Sequence, residues 1–288
     1  MLKALVFGSS GLLGRALSKT LELRGWNTIP LTRADGDLLD GSFLEKIVDL
    51  HKPDYVFNCA AFTNVDGAED NIEEAFAINE KFPENLAKIL AGREKGMLFH
   101  FGTDFVFSGA VARDHLETDR TEPLNVYGAS KLAGENKILE FLPERSCVIR
   151  TAWLFGFGRK NFVDTILSLA ASRPTLQVVN DQTGSPTFAD DLANFSERLA
   201  QGGQTGLFHG VNSGRASWFE LAKKAVELAG ISCEIKPISS AEWPQKANRP
   251  AFSVLDNSRL ANALGYEPRN WQDALAEYVA GRQKSLRQ

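Results

Sequence analysis

Tyr127 and Lys131 are the residues of this sequence whose types and spacing most strongly suggest chemistry. They stand four positions apart in the segment Tyr-Gly-Ala-Ser-Lys, so a helix would place both on one face. A nearby ammonium favours the phenolate, and we expect it to lower the tyrosine pKa towards neutral pH, where the phenol can exchange a proton. Thr103 ends an earlier apolar run and could offer its hydroxyl to the same substrate oxygen. The three residues predict a proton-transfer site; the alternative is an ordinary surface tyrosine and lysine.

A glycine motif follows the first apolar run of the chain. Gly8, Gly11 and Gly14 occur in the segment Gly-Ser-Ser-Gly-Leu-Leu-Gly, directly after residues 3–7. Glycine permits a tight turn and close approach of a pyrophosphate, and the helix that follows would direct free N–H groups at the phosphates. The spacing differs from the GxGxxG fingerprint. The strand–turn–helix context predicts dinucleotide binding, and a tight turn beside a packed helix is the alternative.

The end of the second apolar run bears on the choice of cofactor. Residues 27–31 are followed by Thr32 and Arg33. A site specific for NAD commonly has an acidic residue here, whereas arginine accommodates the 2′-phosphate of NADP. Arg33 therefore favours NADPH, with NADH as the alternative cofactor and a surface arginine as the alternative interpretation. Asp37 and Leu38 come slightly later and are candidates to flank the adenine.

Short apolar runs alternate with helical periodicity through the first half of the chain. Strands are predicted at residues 3–7, 27–31, 55–59, 97–101 and 147–150, and helices after Gly11 and at 43–50, 70–90 (with a break near Pro83) and 126–141. This alternation predicts an α/β fold with a Rossmann-type, doubly wound parallel sheet, whose ligands bind at the carboxyl ends of the strands. We expect residues 1–155 to form mainly an NAD(P)-binding domain. Residues 156–288 would form a smaller substrate-binding region that is interleaved with the sheet.

Composition excludes several other classes of protein. The 288 residues are 43% hydrophobic and carry a net charge of −4, which argues against a nucleic-acid-binding protein. We expect no membrane segment and no secretory signal, and therefore a cytoplasmic enzyme. Cys59, Cys147 and Cys233 are far apart and are expected to be reduced thiols. The four histidines are scattered, so no metal site is predicted.

Longer motifs carry a resemblance to a known family. They are GSSGLLG, NCAAFTNVDGAE, FGTDFVFSG, EPLNVYGASKLAGE, RTAWLFG, VVNDQTGSPT and RPAFSVLD, spread from the glycine motif to near residue 270. In these motifs the chain resembles the dTDP-4-dehydrorhamnose reductases, which are extended short-chain dehydrogenases/reductases. The resemblance implies reduction by NAD(P)H of the C4 keto group of dTDP-4-dehydro-L-rhamnose, a nucleotide sugar, to dTDP-L-rhamnose.

The resemblance also implies roles for individual residues. Tyr127 would protonate the developing alkoxide, Lys131 would bind the nicotinamide ribose, and Thr103 would hydrogen-bond the carbonyl oxygen. Further positions match the family's cofactor contacts: Ser10, Gly11, Leu12 and Leu13 along the pyrophosphate, Asp37 and Leu38 at the adenosine, and Ala60, Ala61 and Thr63 in the middle. Asp104 and Trp153 would contact the sugar nucleotide; Trp153 alone would otherwise be interpreted as a core aromatic.

The last sequence predictions concern a candidate phosphate-binding arginine and two differences from the pattern of the family. Arg249 is a candidate for a substrate pyrophosphate contact, because its forked donors suit phosphate; an ordinary ion pair is the alternative. Phe105 stands where the family commonly has tyrosine. Some family members form a dimer bridged by magnesium through an acidic residue in the first helix, and here no carboxylate occurs in that helix before Glu22. We therefore doubt a role for magnesium, and a homodimer remains open.

Two other kinds of function remain open from the sequence. Another nucleotide-sugar reductase or an epimerase could use the same residues. A dehydratase is disfavoured, because Asp104 is followed by Phe105 and not by glutamate. A non-catalytic relative resembling the regulatory subunit of methionine adenosyltransferase would act by binding a partner protein.

Overall fold

Six parallel strands form the central sheet of the computed structural model, which describes residues 1–285. The strands are β1 (Lys3–Phe7), β2 (Asn27–Leu31), β3 (Tyr55–Asn58), β4 (Met97–Thr103), β5 (Ser146–Thr151) and β10 (Gly206–His209). Their order across the sheet is β10-β5-β4-β3-β1-β2. Shorter strands lie outside it: β6 (Leu154–Phe155), β7 (Thr175–Val179), β8 (Thr183–Gly184), β9 (Thr187–Phe188), β11 (Ala216–Ser217) and β12 (Glu234–Ile238).

Helices connect the strands and cover both faces of the sheet. They are α1 (Leu12–Leu23), α2 (Gly41–His51), α3 (Val65–Ala68), α4 (Ile72–Phe76), α5 (Phe82–Ala91), α6 (Val126–Phe141), α7 (Phe162–Ala170), α8 (Ala189–Gln201), α9 (Trp218–Ala229), α10 (Ser258–Leu264) and α11 (Trp271–Ser285). A π-helical segment, Ala77–Lys81, joins α4 to α5, and single 3₁₀ turns lie at Asp104–Val106, Pro143–Arg145 and Ser240–Glu242. None of the helices described within residues 1–285 is long and apolar enough to cross a membrane.

Alternate residues of each strand face opposite sides of the sheet, so the strands feed two separate cores. On one side, Val6 and Phe57 pack with Leu17 of α1 and Leu192 of α8. On the other side, Leu5, Val56 and Leu98 pack with side chains of α2, α5 and α6. Strands buried on both faces are typical of a parallel sheet. The predicted doubly wound α/β fold is therefore confirmed.

The C-terminal half contributes both to this sheet and to a core of its own. Strand β10 pairs in parallel with β5, and α8 packs against α1. Helices α7, α9 and α11 form a third core with the small parallel pair β7–β12. The division at residue 155 stays a prediction, and residues 286–288 of the predicted second region lie outside the described range.

The structure corrects the predicted elements at one position and adds several short elements to them. The chain does not break near Pro83: the wider π turn precedes it, and Pro83 lies in the first turn of α5, where a missing N–H is tolerated. Strand β10 and helix α10 were not predicted. Both are short, and β10 is held by its pairing with β5 more than by any local pattern.

His209, on strand β10, gives a test of this packing. Its side chain is fully buried, and Nδ1–H donates to the Asp256 carbonyl oxygen at 3.1 Å. Burial lowers the pKa of His209 from 6.5 to about 3. Between these two pH values His209 is protonated in the unfolded chain and neutral in the folded chain. The free energy of unfolding therefore falls as the pH is lowered, and His209 contributes about 1.4 kcal/mol to this fall for each pH unit.

We expect His209→Gln to remove this contribution. The free energy of unfolding of the original protein minus that of the variant, measured by urea denaturation, should fall by about 1.4 kcal/mol for each pH unit between about 6 and about 3. A difference that stays constant with pH would show that His209 is accessible to protons in the folded chain.

Candidate active site

The carboxyl ends of four neighbouring strands bring the predicted site residues to one edge of the sheet. The register pairs Phe7 of β1 with Asn58 of β3, and Thr103 of β4 with Thr151 of β5. The residues that follow these strands therefore lie side by side: the glycine loop, Ala60 and Ala61, Asp104, and Trp153. Asp37 and the exposed Arg33 follow β2 at the same edge of the sheet.

The glycine loop forms a cradle against the end of β3. Gly8 has φ 74°, and a Cβ there would lie 2.7 Å from the Ala60 nitrogen. A Cβ on Gly14 would collide with the Gly8 carbonyl oxygen. Helix α1 begins after Gly11 with no side-chain cap, which leaves its first N–H groups available for an anion. The loop and helix therefore fit the pyrophosphate of a dinucleotide.

Two arginines that the sequence analysis did not single out border this cradle. The Nε atoms of Arg15 and Arg159 both donate to the Ser10 carbonyl oxygen at 3.0 Å. Neither guanidinium has an acidic partner within the described part of the chain. Two unpaired cations beside the cradle favour a bound anion. Arg15, directly after Gly14, could have been noticed; Arg159 comes from a distant loop and carried no signal.

Thr103 and Asp104 form a buried pair at the end of β4. Thr103 Oγ1 lies 3.2 Å from Asp104 Oδ1, and Asp104 is only 2% exposed. Ser253, from the RPAFSVLD segment, donates to Asp104 Oδ2 at 2.6 Å. Burial raises the pKa of Asp104 to about 6, although the hydrogen bonds from Ser253 and Thr103 oppose the shift. Both carboxylate oxygens thus already have partners, and a direct contact of Asp104 with a substrate stays a prediction.

Helix α6 brings Tyr127 and Lys131 over this pair. Asn125 caps the helix by accepting from the Gly128 N–H at 2.7 Å. The Tyr127 ring meets Phe105 edge-on, with ring centres 5.6 Å apart. One turn on, the Lys131 ammonium or amine group donates to the Phe101 carbonyl oxygen at 2.6 Å. The helical face predicted from the sequence therefore does carry both side chains to the end of β4.

The predicted lowering of the Tyr127 pKa was wrong for the chain by itself. Burial raises the pKa of Tyr127 to about 12; the carboxylates of Asp104 and Glu135 add to the shift, and Thr103 opposes it. Burial also lowers the pKa of Lys131 to about 8, against the attraction of Glu135. Loss of solvation outweighs the attraction expected between an ammonium and a phenolate. At neutral pH the phenol keeps its proton and is in the form that can donate it.

Trp153 stacks face to face on Trp218, with ring centres 3.5 Å apart. The backbone of Trp153 has φ 45°, a conformation rare for a bulky side chain. Its indole lies against Gly184, where a Cβ would be 2.5 Å from the ring. Such strain at a functional edge is typical of a ligand-contacting residue. A narrow cleft here is lined by Phe105, Trp153, Gln182, Trp218, Arg249, Pro250 and Ser253.

Arg249 lines this cleft, but its charge is already paired. Its two terminal nitrogens lie 3.1 and 3.0 Å from the two carboxylate oxygens of Asp66. The guanidinium holds the pKa of Asp66 below its ordinary value, although burial opposes the shift. The structure thus places Arg249 near Trp153 in the ion pair that was the alternative interpretation, and a phosphate contact stays a prediction.

The remaining predicted cofactor residues lie along the same edge. Leu12 and Leu13 open α1, and Leu38 packs partly against the core beneath β2. Ala60 and Ala61 are half-buried after β3, whereas Thr63 is exposed. Within residues 1–285, no three His, Cys, Asp or Glu side chains converge as metal ligands.

Comparison with known proteins identifies the family. Residues 2–283 match the family described as the RmlD substrate binding domain. The chain belongs to this family. It is 41% identical over 281 residues to a dTDP-4-dehydrorhamnose reductase of Streptomyces griseus, covering 95% of this chain and 91% of the relative. It is 36% identical to the spore coat polysaccharide biosynthesis protein SpsK of Bacillus subtilis, covering 98% of each.

Solved structures agree with this membership. A dTDP-4-dehydrorhamnose reductase of Clostridium acetobutylicum superposes with a TM-score of 0.94 at 34% identity, covering 98% of this chain and 100% of that one. The Bacillus anthracis dTDP-4-dehydrorhamnose reductase, solved in complex with NADP, gives 0.92 at 31% identity, with the same coverage. A Thermus thermophilus UDP-glucose 4-epimerase, at 19% identity and a TM-score of 0.83, shares the fold.

The stacked tryptophans provide a test of the cleft geometry. Gly184→Ala should displace the Trp153 indole, because the added Cβ has no room. We expect a changed near-ultraviolet circular dichroism spectrum and a loss of roughly 1–3 kcal/mol in the free energy of unfolding, as for an overpacked core. Gly41→Ala, in α2 with open space around its Cβ, is the matched control and should change neither quantity adversely. Identical spectra for the two variants would contradict the stacking.

Proposed function

We propose that the chain is an NADPH-dependent dTDP-4-dehydrorhamnose reductase, which reduces the C4 keto group of dTDP-4-dehydro-L-rhamnose to give dTDP-L-rhamnose. One observation carries the proposal: in a chain of this family, Thr103, Tyr127 and Lys131 converge at the sheet edge that also holds the glycine cradle. Relatives named for this activity, among them two that are 41% and 39% identical to this chain, support it.

NADPH would supply the hydride that adds to C4 of the sugar. Side chains of the protein would protonate and hydrogen-bond the oxygen at C4. Tyr127 keeps its proton at neutral pH and would donate it to the oxygen at C4. Thr103 would hydrogen-bond the same oxygen, and a donor aimed at developing oxyanion charge contributes roughly 2.7–4 kcal/mol in comparable sites. Lys131 would bind the nicotinamide ribose.

The cofactor would lie from the cradle across the ends of β3 and β1. Ser10, Gly11, Leu12 and Leu13 would hold its pyrophosphate, with Arg15 and Arg159 adding positive charge. Arg33, exposed and without an ion-pair partner among the described residues, supports the preference for NADPH. The NADP complex of the Bacillus anthracis relative is in keeping with that preference.

The substrate would enter at the cleft beside the stacked tryptophans. Trp153 would contact the sugar nucleotide from one side and Asp104 would shape the other. Arg249 would reach a substrate phosphate only by exchanging its partner Asp66 for the anion. Magnesium has no role in this proposal, and a cytoplasmic homodimer stays a prediction.

Turnover by the purified chain tests the proposed function. With enzymatically generated dTDP-4-dehydro-L-rhamnose, we expect rapid loss of NADPH absorbance and formation of dTDP-L-rhamnose. Absence of oxidation, with NADPH binding confirmed by calorimetry, would favour another keto sugar or a non-catalytic binding protein, and the proposal would fail.

Tyr127→Phe should lower kcat by roughly 10²–10⁴-fold, because it removes the proton donor. NADPH affinity, measured by fluorescence titration, should stay close to the original value, since the ring and its packing against Phe105 remain. Near-normal turnover by this variant would show that another group protonates the oxygen.

Arg33→Ala should weaken NADPH binding by roughly 10–100-fold and leave NADH binding unchanged, because only NADPH carries the 2′-phosphate for a charge-assisted hydrogen bond. Calorimetric titration with both cofactors measures the effect. Arg173→Ala is the matched control, an exposed arginine on the loop before β7. Equal losses for NADPH and NADH would place Arg33 away from the 2′-phosphate.

A further inference from the structure

Behind Lys131, a line of buried polar groups runs into the sheet. Lys131 Nζ lies 3.3 Å from His100 Nε2, and His100 Nδ1 lies 3.0 Å from Asn58 Nδ2. His100 and Asn58 are 0% and 1% exposed. Neither residue has a role in the function proposed above. Because both side chains are buried, their polar atoms need hydrogen-bond partners within the protein.

The Ala60 N–H fixes the orientation of the Asn58 amide. It donates to Asn58 Oδ1 at 3.1 Å. An asparagine side chain accepts hydrogen bonds only at its oxygen. If the amide were flipped, the Asn58 NH₂ group would face the Ala60 N–H, and two donors would be in contact. Asn58 must therefore present its NH₂ group to His100.

The amide orientation in turn fixes the histidine tautomer. His100 Nδ1 faces a donor and must accept, so the neutral ring carries its proton on Nε2. An imidazolium would point a second N–H at the Asn58 NH₂ group. Burial and the charge of Lys131 hold the pKa of His100 well below its ordinary value, in agreement with a neutral ring.

The Nε2–H then points at Lys131. An ammonium has three donors and no acceptor, whereas an uncharged amine has a lone pair that can accept. The His100 N–H therefore suits the amine form, while the Phe101 carbonyl oxygen accepts from the same nitrogen at 2.6 Å in either form.

We propose that Asn58 and Ala60 lock His100 as the Nε2–H tautomer, and that His100 is a positioning residue that disfavours the ammonium form of Lys131. The tautomer follows from the geometry alone; its consequence for turnover rests on the proposed function. The arrangement would allow Lys131, next to Tyr127 on the same helical face, to gain and lose a proton close to neutral pH.

Other titratable groups face Lys131 from the elements packed around it. Glu135, one turn later in α6, favours the ammonium, but its carboxylate is paired with Arg150 of β5 at 2.9 Å. Cys59, after β3, is a neutral thiol near neutral pH, because burial raises its pKa. Together with burial, these surroundings leave the pKa of Lys131 lowered to about 8.

The tautomer can be observed directly. In protein labelled with ¹⁵N-histidine, two-dimensional NMR distinguishes protonated from unprotonated ring nitrogens, and loss of one signal set in His100→Gln identifies His100. We expect a protonated Nε2 and an unprotonated Nδ1 from about pH 5 to 8, the range in which an ordinary histidine titrates. A protonated Nδ1, or conversion to an imidazolium in this range, would overturn the proposal.

The effect on Lys131 is measured by titration of its side chain in protein labelled with ¹³C-lysine, with Lys131→Arg identifying the signal. Asn58→Ala frees His100 to take the other tautomer, and His100→Gln offers an oxygen to the ammonium. Both should raise the pKa of Lys131 by roughly one unit or more, a tenfold gain in proton affinity. An unchanged or lowered pKa in both variants would contradict the proposal.

Activity provides an independent arm. If the ammonium is the active form, kcat/KM falls as the pH rises through the Lys131 pKa of the free enzyme, and both variants should move that fall upward by the same interval. His209→Gln, a buried histidine of the same sheet that does not contact Lys131, should leave it in place. Because the NMR arm needs no substrate, a failure of the proposed function would not be mistaken for a failure of this inference.

Discussion

The close packing of α6 on the end of β4 is the contact on which the candidate site depends. Gly128 lies under the Phe105 carbonyl and Gly134 against the Asn79 carbonyl, where a Cβ would collide with each. The helix therefore approaches the neighbouring backbone more closely than any other residue type would allow. Because of this close approach, Tyr127 and Lys131 lie beside the last residues of β4, which include Phe101 and Thr103. The glycine cradle meets the same edge from β1, so one sheet positions both the cradle and the Tyr127 phenol.

Burial controls the electrostatics of this edge more than pairing does. Tyr127, Lys131, Asp104 and His100 all move towards their uncharged forms, and in each case loss of solvation is the main cause. The buried pair of Glu135 and Arg150 stands behind them and balances its own charge. In a buried site of this kind the side chains that donate hydrogen bonds keep their protons. In the proposed reaction, negative charge that develops on the substrate oxygen would be stabilised by hydrogen-bond donors that are already in position.

Local patterns in the sequence predicted features that depend on neighbouring residues, such as the bounds of single helices and strands. The bounds of β1, β2 and α6 match the predicted runs. The spacing of Tyr127 and Lys131 likewise predicted their shared face. Trp218 and Ser253 were missed because they meet Trp153 and Asp104 only through the tertiary fold, far along the chain. The direction of the Tyr127 pKa was wrong for a related reason: the depth of burial cannot be read from a four-residue spacing.

In the proposed reaction, C4 of the sugar would gain a hydride while Tyr127 would protonate the oxygen. The most direct measurement uses NADPH deuterated at the transferring position of the nicotinamide, the purified chain and dTDP-4-dehydro-L-rhamnose, with NMR of the product. We expect one deuterium, at C4, in dTDP-L-rhamnose, and no such product from Tyr127→Phe on the same timescale. A product with deuterium elsewhere, with the opposite configuration at C4, or formed equally well by the variant would contradict it.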